Sequence, residues 1–266
     1  MSATARFDER FDTQRFDERL DTRRLGTVLS VWAHPDDETY LAGGLMAACA
    51  AAGQRVVCVS ATAGEQGTPD PVAWPPERLA RLRRWETAAA MAVLGVDDHR
   101  FLGFGDGTLA TIETQVGVGA IADLIVDIRP DTIVTFGPDG MTFHPDHIAI
   151  GAWTTQAWES AGRPGRLLYA TTTHTHLATF RATYEEWGIY MTEERPAGCS
   201  TAELAVEHVL HGELLDQKLA ALAAMASQTA GAIATLGPDT WQGMNRDECF
   251  VDAAVARSTV SPAAPR

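Results

Sequence analysis

Short apolar runs alternate with longer helical segments along most of this chain, and this alternation limits the folds that it can adopt. Four of the runs are rich in apolar and β-branched residues, as strands buried on both faces are. We therefore predict an α/β fold: a single Rossmann-like domain, with a mostly parallel sheet flanked by helices and an active site at the carboxyl ends of the strands. The predicted strands are residues 27–33, 55–62, 132–136 and 167–173, and the predicted helices are residues 38–52, 77–94, 112–128 and 212–229.

The two ends of the chain depart from this pattern. Residues 7–15 recur as residues 16–24 with seven of nine positions identical, and both copies balance their charges and carry few apolar residues. Such a composition is typical of a mobile arm rather than of a packed element. We predict a mobile charged arm over residues 1–26, one domain over residues 27–254 and a flexible tail over residues 255–266.

The charge and the cysteine content restrict the partners and the compartment. The chain has 35 Asp and Glu against 21 Lys and Arg, which gives a net charge of −14. A surface this acidic repels nucleic-acid phosphates and anionic lipid. The four cysteines show no CxxC spacing, and the longest apolar stretch, residues 41–52, is too short to span a bilayer. We expect a cytoplasmic protein that binds a small molecule rather than nucleic acid or a membrane, and nothing in the sequence indicates an oligomeric state.

Two loops that follow predicted strands combine histidine with carboxylate. The sequence HPDDE occupies residues 34–38, after the first strand, and HPDH occupies residues 144–147, after the strand at 132–136. In one interpretation the acidic residues only cap the helices that follow. In the other, His34, Asp37 and His147 supply the three nitrogen and oxygen ligands that a catalytic zinc ion requires.

The two motifs resemble those of the PIG-L/LmbE-like zinc-dependent N-deacetylases, which act on N-acetylglucosaminyl conjugates. The resemblance also includes GEQG at residues 64–67, RRWE at 83–86 and FLGFGD at 101–106, and it extends from about residue 27 to residue 160. It implies that the domain hydrolyses the N-acetyl amide of an amino-sugar conjugate of the N-acetylglucosamine type. Relatives often carry histidine at the position of Met225, so the contacts of the C-terminal wall are expected to differ here.

The resemblance assigns roles to the residues of the two motifs. It implies that His34, Asp37 and His147 bind Zn²⁺, with another divalent metal such as Fe²⁺ as the alternative. Asp36 is then the general base that takes a proton from the attacking water. This agrees with the chemistry, because a metal-activated water needs a nearby carboxylate to accept its proton.

Four further residues receive roles from the same resemblance. His144 is expected to act as general acid or oxyanion stabiliser, and Asp146 to orient a neighbouring histidine. Arg83 and Asp106 are expected to bind sugar hydroxyls. Two simpler interpretations stay open: Arg83 could form a surface ion pair with Glu86, and Asp106 could be an ordinary turn residue between two glycines.

Three alternative functions remain at this point. An amidase that acts on a larger thiol-sugar conjugate is the nearest, since some members of the family are such enzymes. A ferrous oxygenase would use the HxD…H set of His34, Asp36 and His147. That class is usually built on all-β barrels, which the strand and helix alternation argues against. The third is a non-catalytic sugar- or nucleotide-binding module, although neither GxGxxG after the first strand nor GxxxxGK[ST] is present.

Overall fold

The computed structural model describes residues 20–255, so residues 1–19 of the predicted arm, with the first copy of its repeat and the start of the second, and nearly all of the predicted tail lie outside it. The described residues form seven strands and eight α-helices, together with three short 3₁₀ helices. The strands are β1 (Val28–Trp32), β2 (Val56–Ser60), β3 (Asp98–Phe101), β4 (Thr132–Phe136), β5 (Arg166–Thr171), β6 (Val206–Val209) and β7 (Asp247–Asp252). The helices are α1 (Asp37–Ala51), α2 (Pro76–Leu94), α3 (Thr114–Ile128), α4 (Pro145–Ser160), α5 (His174–Trp187), α6 (Gly212–Ala224), α7 (Ala226–Leu236) and α8 (Pro238–Asn245).

The strands form one sheet in the order β3-β2-β1-β4-β5-β7-β6. The pairs among β1 to β5 are all parallel, and β7 runs antiparallel to both of its neighbours, β5 and β6. Every residue of β1, β2 and β4 is buried, because helices cover both faces of the sheet. The predicted α/β fold with a mostly parallel sheet is therefore confirmed.

The prediction of one continuous helix over residues 212–229 is wrong. The segment forms two helices, α6 and α7, which meet at Met225 at an angle of 119°. Met225 has a ψ of 48°, and the Thr229 hydroxyl donates to the Leu222 carbonyl at 2.7 Å, where the helical ladder is interrupted. Within the described residues, no single helix is long and apolar enough to cross a membrane; only α6 and α7 taken together reach that length and composition.

Three strands, β3, β6 and β7, were not predicted. Their sequences are DHRF, VEHV and DECFVD, so charged residues interrupt the apolar pattern that identifies a buried strand. β3 and β6 lie at the two edges of the sheet, where only one neighbour is needed. Their polar composition is therefore consistent with their position.

The chain packs against the domain before the predicted boundary at residue 27. The Leu20 N–H donates to the Ala205 carbonyl at 2.9 Å, and the Cys49 thiol donates to the Thr22 carbonyl at 3.1 Å. Leu25 is buried in the main hydrophobic core. Residues 20–26 therefore belong structurally with the domain, while the mobility predicted for residues 1–19 concerns a segment outside the described residues.

A buried ion pair joins α6 and β7 to the middle of α1. Lys218 Nζ lies 2.8 Å from Glu248 Oε1, and neither side chain is exposed to solvent. The Glu248 carboxylate also accepts the N–H groups of Gly44 and Leu45, both at 2.7 Å, while Lys218 donates to the Tyr40 carbonyl at 2.8 Å. The C-terminal elements are thus attached by charge-assisted hydrogen bonds to the helix that begins with Asp37.

We expect Glu248→Gln to destabilise the domain strongly, because it leaves the Lys218 ammonium buried without a counter-charge. The loss in the free energy of unfolding should be about 3–5 kcal/mol, measured by denaturant titration with an unchanged m-value. As a control, Glu185→Gln removes the partner of Arg195 in a solvent-exposed pair, and it should leave the midpoint nearly unchanged. Equal effects of the two substitutions would contradict a stabilising role for the buried pair.

Candidate active site

Two loops at the carboxyl edge of the sheet carry the motifs that the sequence singles out. One follows β1 and enters α1, and the other follows β4 and enters α4. β1 and β4 are adjacent parallel strands, with Val28 opposite Thr132 and Ser30 opposite Val134. The structure therefore brings the two loops side by side, as expected for an active site at the carboxyl ends of the strands.

His34, Asp37 and His147 direct their ligand atoms toward one another. His34 Nδ1 lies 3.2 Å from His147 Nε2, and His147 Nε2 lies 3.3 Å from Asp37 Oδ1. His34 Nδ1 lies 3.5 Å from Asp37 Oδ2. A tetrahedral zinc ion with bonds of about 2.0–2.1 Å holds its ligand atoms roughly 3.3 Å apart. The three side chains are buried, and their donor set and spacing fit such an ion.

The second nitrogen of each of these histidines has a partner that fixes its ring. His147 Nδ1 donates to the Gly140 carbonyl at 2.9 Å. His34 Nε2 lies 3.0 Å from Asp106 Oδ1 and 3.4 Å from Asp146 Oδ2. Partners of this kind select the tautomer of a metal-binding histidine. They leave His147 Nε2 and His34 Nδ1 as the nitrogens that can bind a cation.

The carboxylate that joins the two histidines is Asp37. Asp36 turns to the other side, where its Oδ2 lies 3.4 Å from Arg83 Nη2. The assembled set is therefore the one that the deacetylase resemblance implies, and it differs from the His34, Asp36 and His147 set of the oxygenase alternative.

Asp36 has an unusual backbone conformation at the start of α1. Its φ of 114° and ψ of −36° lie outside the regions that L-residues ordinarily adopt. Its N–H donates to the Glu38 carboxylate at 3.1 Å, and Arg83 donates to the carbonyl of Pro35. Contacts on both sides hold this strained residue, and such strain is concentrated at functional sites.

The two adjacent aspartates differ in their ionisation. Burial raises the pKa of Asp36 to about 7, although the Arg83 guanidinium acts to lower it. Burial also disfavours the charge of Asp37, but His147 and His34 outweigh this and hold the pKa of Asp37 well below its usual value. Asp37 is therefore a permanent anion, and Asp36 is a carboxyl group that can exchange a proton near neutral pH.

The two histidines also differ. Burial lowers the pKa of His147 to about 4, so its ring is neutral at physiological pH, as a metal ligand must be. Burial acts in the same direction on His34, but its contacts with Asp106, Asp146 and Asp37 raise the pKa well above the usual value. When His34 is protonated, its Nδ1 proton faces His147.

Asp146 is the buried anchor of the second loop. Its oxygens accept the N–H groups of Gly107 at 2.8 Å and of Leu109 at 3.0 Å, and its Oδ2 also lies near His34. Asp146 thus contacts His34, which belongs to the HPDDE motif at residues 34–38. The Asp146 carboxylate therefore connects the loop after β3, which carries Gly107 and Leu109, to His34 in the loop after β1.

His144 lies at the N-terminal cap of α4 and packs on both metal-facing histidines. Its ring centre is 4.9 Å from that of His34 and 4.8 Å from that of His147. Its Nδ1 accepts the N–H of Asp146 at 3.1 Å. Burial lowers the pKa of His144, and the charge of His34 lowers it further. The remaining nitrogen, Nε2, is the atom through which His144 can exchange a proton.

Arg83 is buried rather than exposed, so the alternative of a surface pair with Glu86 is wrong. Its Nη1 donates to the Gly64 carbonyl at 2.6 Å, and a side chain at Gly64 would collide with the guanidinium. Glu86 instead accepts the N–H of Ser227 at 2.7 Å. Arg83 therefore contacts the loop that carries Asp36, and its predicted role in binding sugar hydroxyls stays a prediction.

Asp106 is also integrated into the site. Its Oδ2 accepts the Gln66 N–H at 2.7 Å, its own N–H donates to the Glu65 carboxylate at 3.0 Å, and its Oδ1 faces His34. It is thus more than an ordinary turn residue. Its role as a sugar ligand, like that of Arg83, stays a prediction.

The sequence did not identify the residues that position His147. Phe136 stacks on its ring at 4.2 Å with an interplanar angle of 12°, and Thr142 Oγ1 lies 3.3 Å from its Nδ1. Gly140, with a φ of +60°, allows its carbonyl to approach, and a side chain there would collide with His147. The sequence GPDG at residues 137–140 is typical of a tight turn and is the signal that could have identified Gly140.

A cavity of about 340 Å³ opens beside Asp37 and His147. Most of its lining residues belong to α1, α5, α7, α8 and β7, and many of them are aromatic or aliphatic. The sequence did not identify it, because its walls come from elements far apart in the chain. Its aromatic members are Tyr40, Phe136, Tyr184, Trp187, Tyr190 and Trp241.

Comparison with known proteins agrees with this geometry. Residues 29–158 match the model of the PIG-L family, described as GlcNAc-PI de-N-acetylase. The chain is 34% identical over 242 residues to the 1D-myo-inositol 2-acetamido-2-deoxy-alpha-D-glucopyranoside deacetylase of Acidothermus cellulolyticus, covering 77% of this chain and 80% of the relative. It is 36% identical over 166 residues to the protein of the same name from Kineococcus radiotolerans, covering 52% of this chain but only 46% of that relative.

A solved structure extends the likeness to the whole fold. The N,N'-diacetylchitobiose deacetylase of Pyrococcus horikoshii, in complex with an inhibitor, superposes with a TM-score of 0.62 over 98% of both chains. At 20% sequence identity, this likeness concerns the fold alone. The match to the Acidothermus relative over most of its length, together with the match of residues 29–158 to the family model, shows that the chain belongs to the PIG-L family.

Proposed function

We propose that this protein is a zinc-dependent hydrolase that removes the N-acetyl group from an amino-sugar conjugate of the N-acetylglucosamine type. The observation that carries the proposal is the convergence of His34 Nδ1, His147 Nε2 and Asp37 within 3.2–3.5 Å of one another. The relatives from Acidothermus and Kineococcus are named as deacetylases of a glucosaminyl-inositol conjugate, which supports this reaction and substrate class.

The metal proposal rests on the chemistry of the donor set. Two imidazole nitrogens and one carboxylate are ligands that suit zinc, and they also suit Fe²⁺ as the alternative ion. A zinc ion held there would polarise the amide carbonyl and lower the pKa of water to about 7. Asp37 supplies the negative charge, and Asp106 and Asp146 hold the His34 ring in the orientation that this requires.

Two side chains beside the metal ligands would move protons. Asp36, buried next to Arg83, would accept the proton of the attacking water, and its pKa of about 7 suits a general base at neutral pH. His144, which packs on His34 and His147, would act through its Nε2–H: as the general acid toward the leaving amine once its ring is protonated, or, while neutral, as a hydrogen-bond donor that stabilises the oxyanion. The proton-accepting and proton-donating groups thus belong to different loops.

An amidase that acts on a larger thiol-sugar conjugate would use the same residues, because the broken bond is of the same kind. The direct test of both is to incubate zinc-loaded protein with a panel of N-acetylated amino sugars and measure free amine and acetate. Release from a glucosaminyl-inositol compound would support the deacetylase. Turnover confined to larger thiol-bearing amides would favour the amidase, and turnover of neither class would contradict the proposal.

The two neighbouring aspartates should respond differently to the same substitution. Asp37→Asn should lose zinc and recover part of its activity in excess zinc, because it removes a ligand. Asp36→Asn should keep its zinc and lose about 10²–10⁴-fold in kcat, because it removes a general base. Zinc content by elemental analysis and kcat on both variants check this. If Asp36→Asn arrives without metal while Asp37→Asn keeps it, the two assignments must be exchanged.

Zinc binding should release a proton and weaken at low pH. The raised pKa of His34 means that the metal-free protein carries a proton on Nδ1, the nitrogen that zinc would occupy. Below that pKa, the apparent affinity should therefore fall about tenfold for each pH unit. Calorimetry in two buffers of different ionisation enthalpy measures the protons released. A pH-independent affinity with no proton release would contradict this account of His34.

The role of Arg83 can be read from kinetics. If it only binds a sugar hydroxyl, Arg83→Met should raise KM and leave kcat little changed. Because it contacts Pro35 and lies beside Asp36, we expect kcat to fall as well, by about tenfold or more, since the base is misplaced. Arg84→Met, on the adjacent exposed position, serves as the control and should leave both constants unchanged. An unaltered kcat in Arg83→Met would support the sugar-binding role alone.

A further inference from the structure

The cavity beside the metal ligands has a lining that the deacetylation of a simple acetyl group does not require. Asp37 and His147 lie at its boundary, and it extends from them between α5, α7, α8 and β7. A chemical group that fills it must therefore be attached close to the scissile amide. The volume of about 340 Å³ is roughly ten times the ~30 Å³ that one water-sized group, such as the acetyl methyl, occupies.

Much of the cavity wall is apolar. Leu41 lies on the side of α1, Leu177 and Trp187 on the side of α5, and Leu236 and Trp241 on the side of α7 and α8. Burial of apolar surface on such walls is the main source of affinity in small-molecule sites. The shape and the lining therefore favour a hydrophobic group of several carbon atoms.

Several polar side chains of the lining already have partners within the protein. His176 Nε2 lies 2.8 Å from the Tyr184 hydroxyl, and His176 Nδ1 lies 3.5 Å from Asp247 Oδ2. Glu248 is held by Lys218 and by the backbone of α1. These contacts engage His176, Tyr184 and Glu248, whereas Asp247 Oδ1 is buried without a hydrogen-bond partner among the described residues. The two carboxylates disfavour an anionic group in the cavity.

Helix α5 gives independent support. None of its residues is fully buried, although its Leu177, Tyr184 and Trp187 line the cavity. Trp187 remains 39% exposed. When an apolar group occupies the cavity, it buries the apolar side chains that α5 presents there. The helix thereby gains burial that it lacks while the cavity is empty.

We infer that the cavity binds an uncharged apolar group, alkyl or aryl, which is attached to the amino sugar close to the scissile amide. Two sources share this chemistry: the acyl chain of the amide, and the aglycone on the sugar. The inference rests on the proposed function, because it specifies the substrate of the same site.

Two matched substrate pairs separate the sources. N-octanoyl-glucosamine against N-acetyl-glucosamine varies the acyl chain, and octyl against methyl 2-acetamido-2-deoxy-glucoside varies the aglycone. We expect kcat/KM to be at least about tenfold higher for the octyl member of one pair. The pair that shows the preference identifies which part of the substrate enters the cavity.

A substitution that fills the cavity with a larger side chain tests whether the cavity causes the preference for the octyl compound. Ala232 of α7 lines the cavity, whereas Ala234 of the same helix is exposed and lies outside its lining. Ala232→Trp should abolish the preference for the octyl compound, and Ala234→Trp should retain it. Zinc content and circular dichroism of both variants show whether each one has folded.

A binding measurement keeps the inference testable apart from the proposed reaction. Trp187 and Trp241 lie in the cavity wall, so tryptophan fluorescence should report titration with an octyl compound and not with its methyl or acetyl counterpart. Turnover of the short substrates with no octyl preference in either pair would overturn the inference alone. If no substrate is turned over, the proposed function fails, and the fluorescence titration decides the inference: equal responses to octyl and short compounds would overturn it.

Discussion

The parallel pairing of β1 with β4 is the contact on which the candidate site depends. The sheet extends from β1 to β2 and β3 on one side, and from β4 to β5 on the other, so this pair marks the point where the strand order reverses. Loops diverge at such a point and leave a crevice. Each loop then enters a helix, which places Asp37 in the first turn of α1 and Asp146 in the first turn of α4. The helix dipoles favour the charges of these carboxylates.

Electrostatics then makes His34 the common partner of the two loops. Asp37 faces one nitrogen, while Asp106 and Asp146 face the other. These carboxylates raise the pKa of His34, and when the ring is protonated its Nδ1 proton faces His147. A divalent cation would replace that proton without rebuilding the site, because the rings are already oriented by the Gly140 carbonyl and by the carboxylates. Preorganisation of this kind is what separates a metal centre from an accidental acidic cluster.

Local patterns account for the parts of the molecule that could be predicted. The strand at 132–136, TIVTF, is rich in β-branched residues, and it forms with the predicted bounds. The proximity of His34, Asp37 and His147 could be predicted because HPDD and HPDH are short contiguous motifs that follow buried strands, while their role as metal ligands stays a prediction. β7 and the environment of Arg83 could not, since they depend on contacts between distant segments: β7 pairs with β5 and β6, and Arg83 reaches carbonyls of residues 35 and 64. The break at Met225 lies within an alanine-rich segment that favours helix on both sides, so only tertiary packing decides it.

The residues proposed for catalysis and most residues of the cavity wall come from different parts of the chain, but the two sets are connected by hydrogen bonds and ion pairs. The proposed metal ligands and proton-transfer groups all come from residues before α4 ends, whereas most of the cavity wall comes from α5 onward. β7 connects the two parts: Asp247 contacts His176 of α5, and Glu248 holds the backbone of α1 at Gly44 and Leu45. α1 begins with Asp37, one of the proposed metal ligands, and β7 is hydrogen-bonded to α1. A group that changes the shape of the cavity therefore acts on a strand that is bonded directly to this helix. Substrate fit in the wall and geometry at the metal ligands are therefore physically linked through two adjacent residues of one strand.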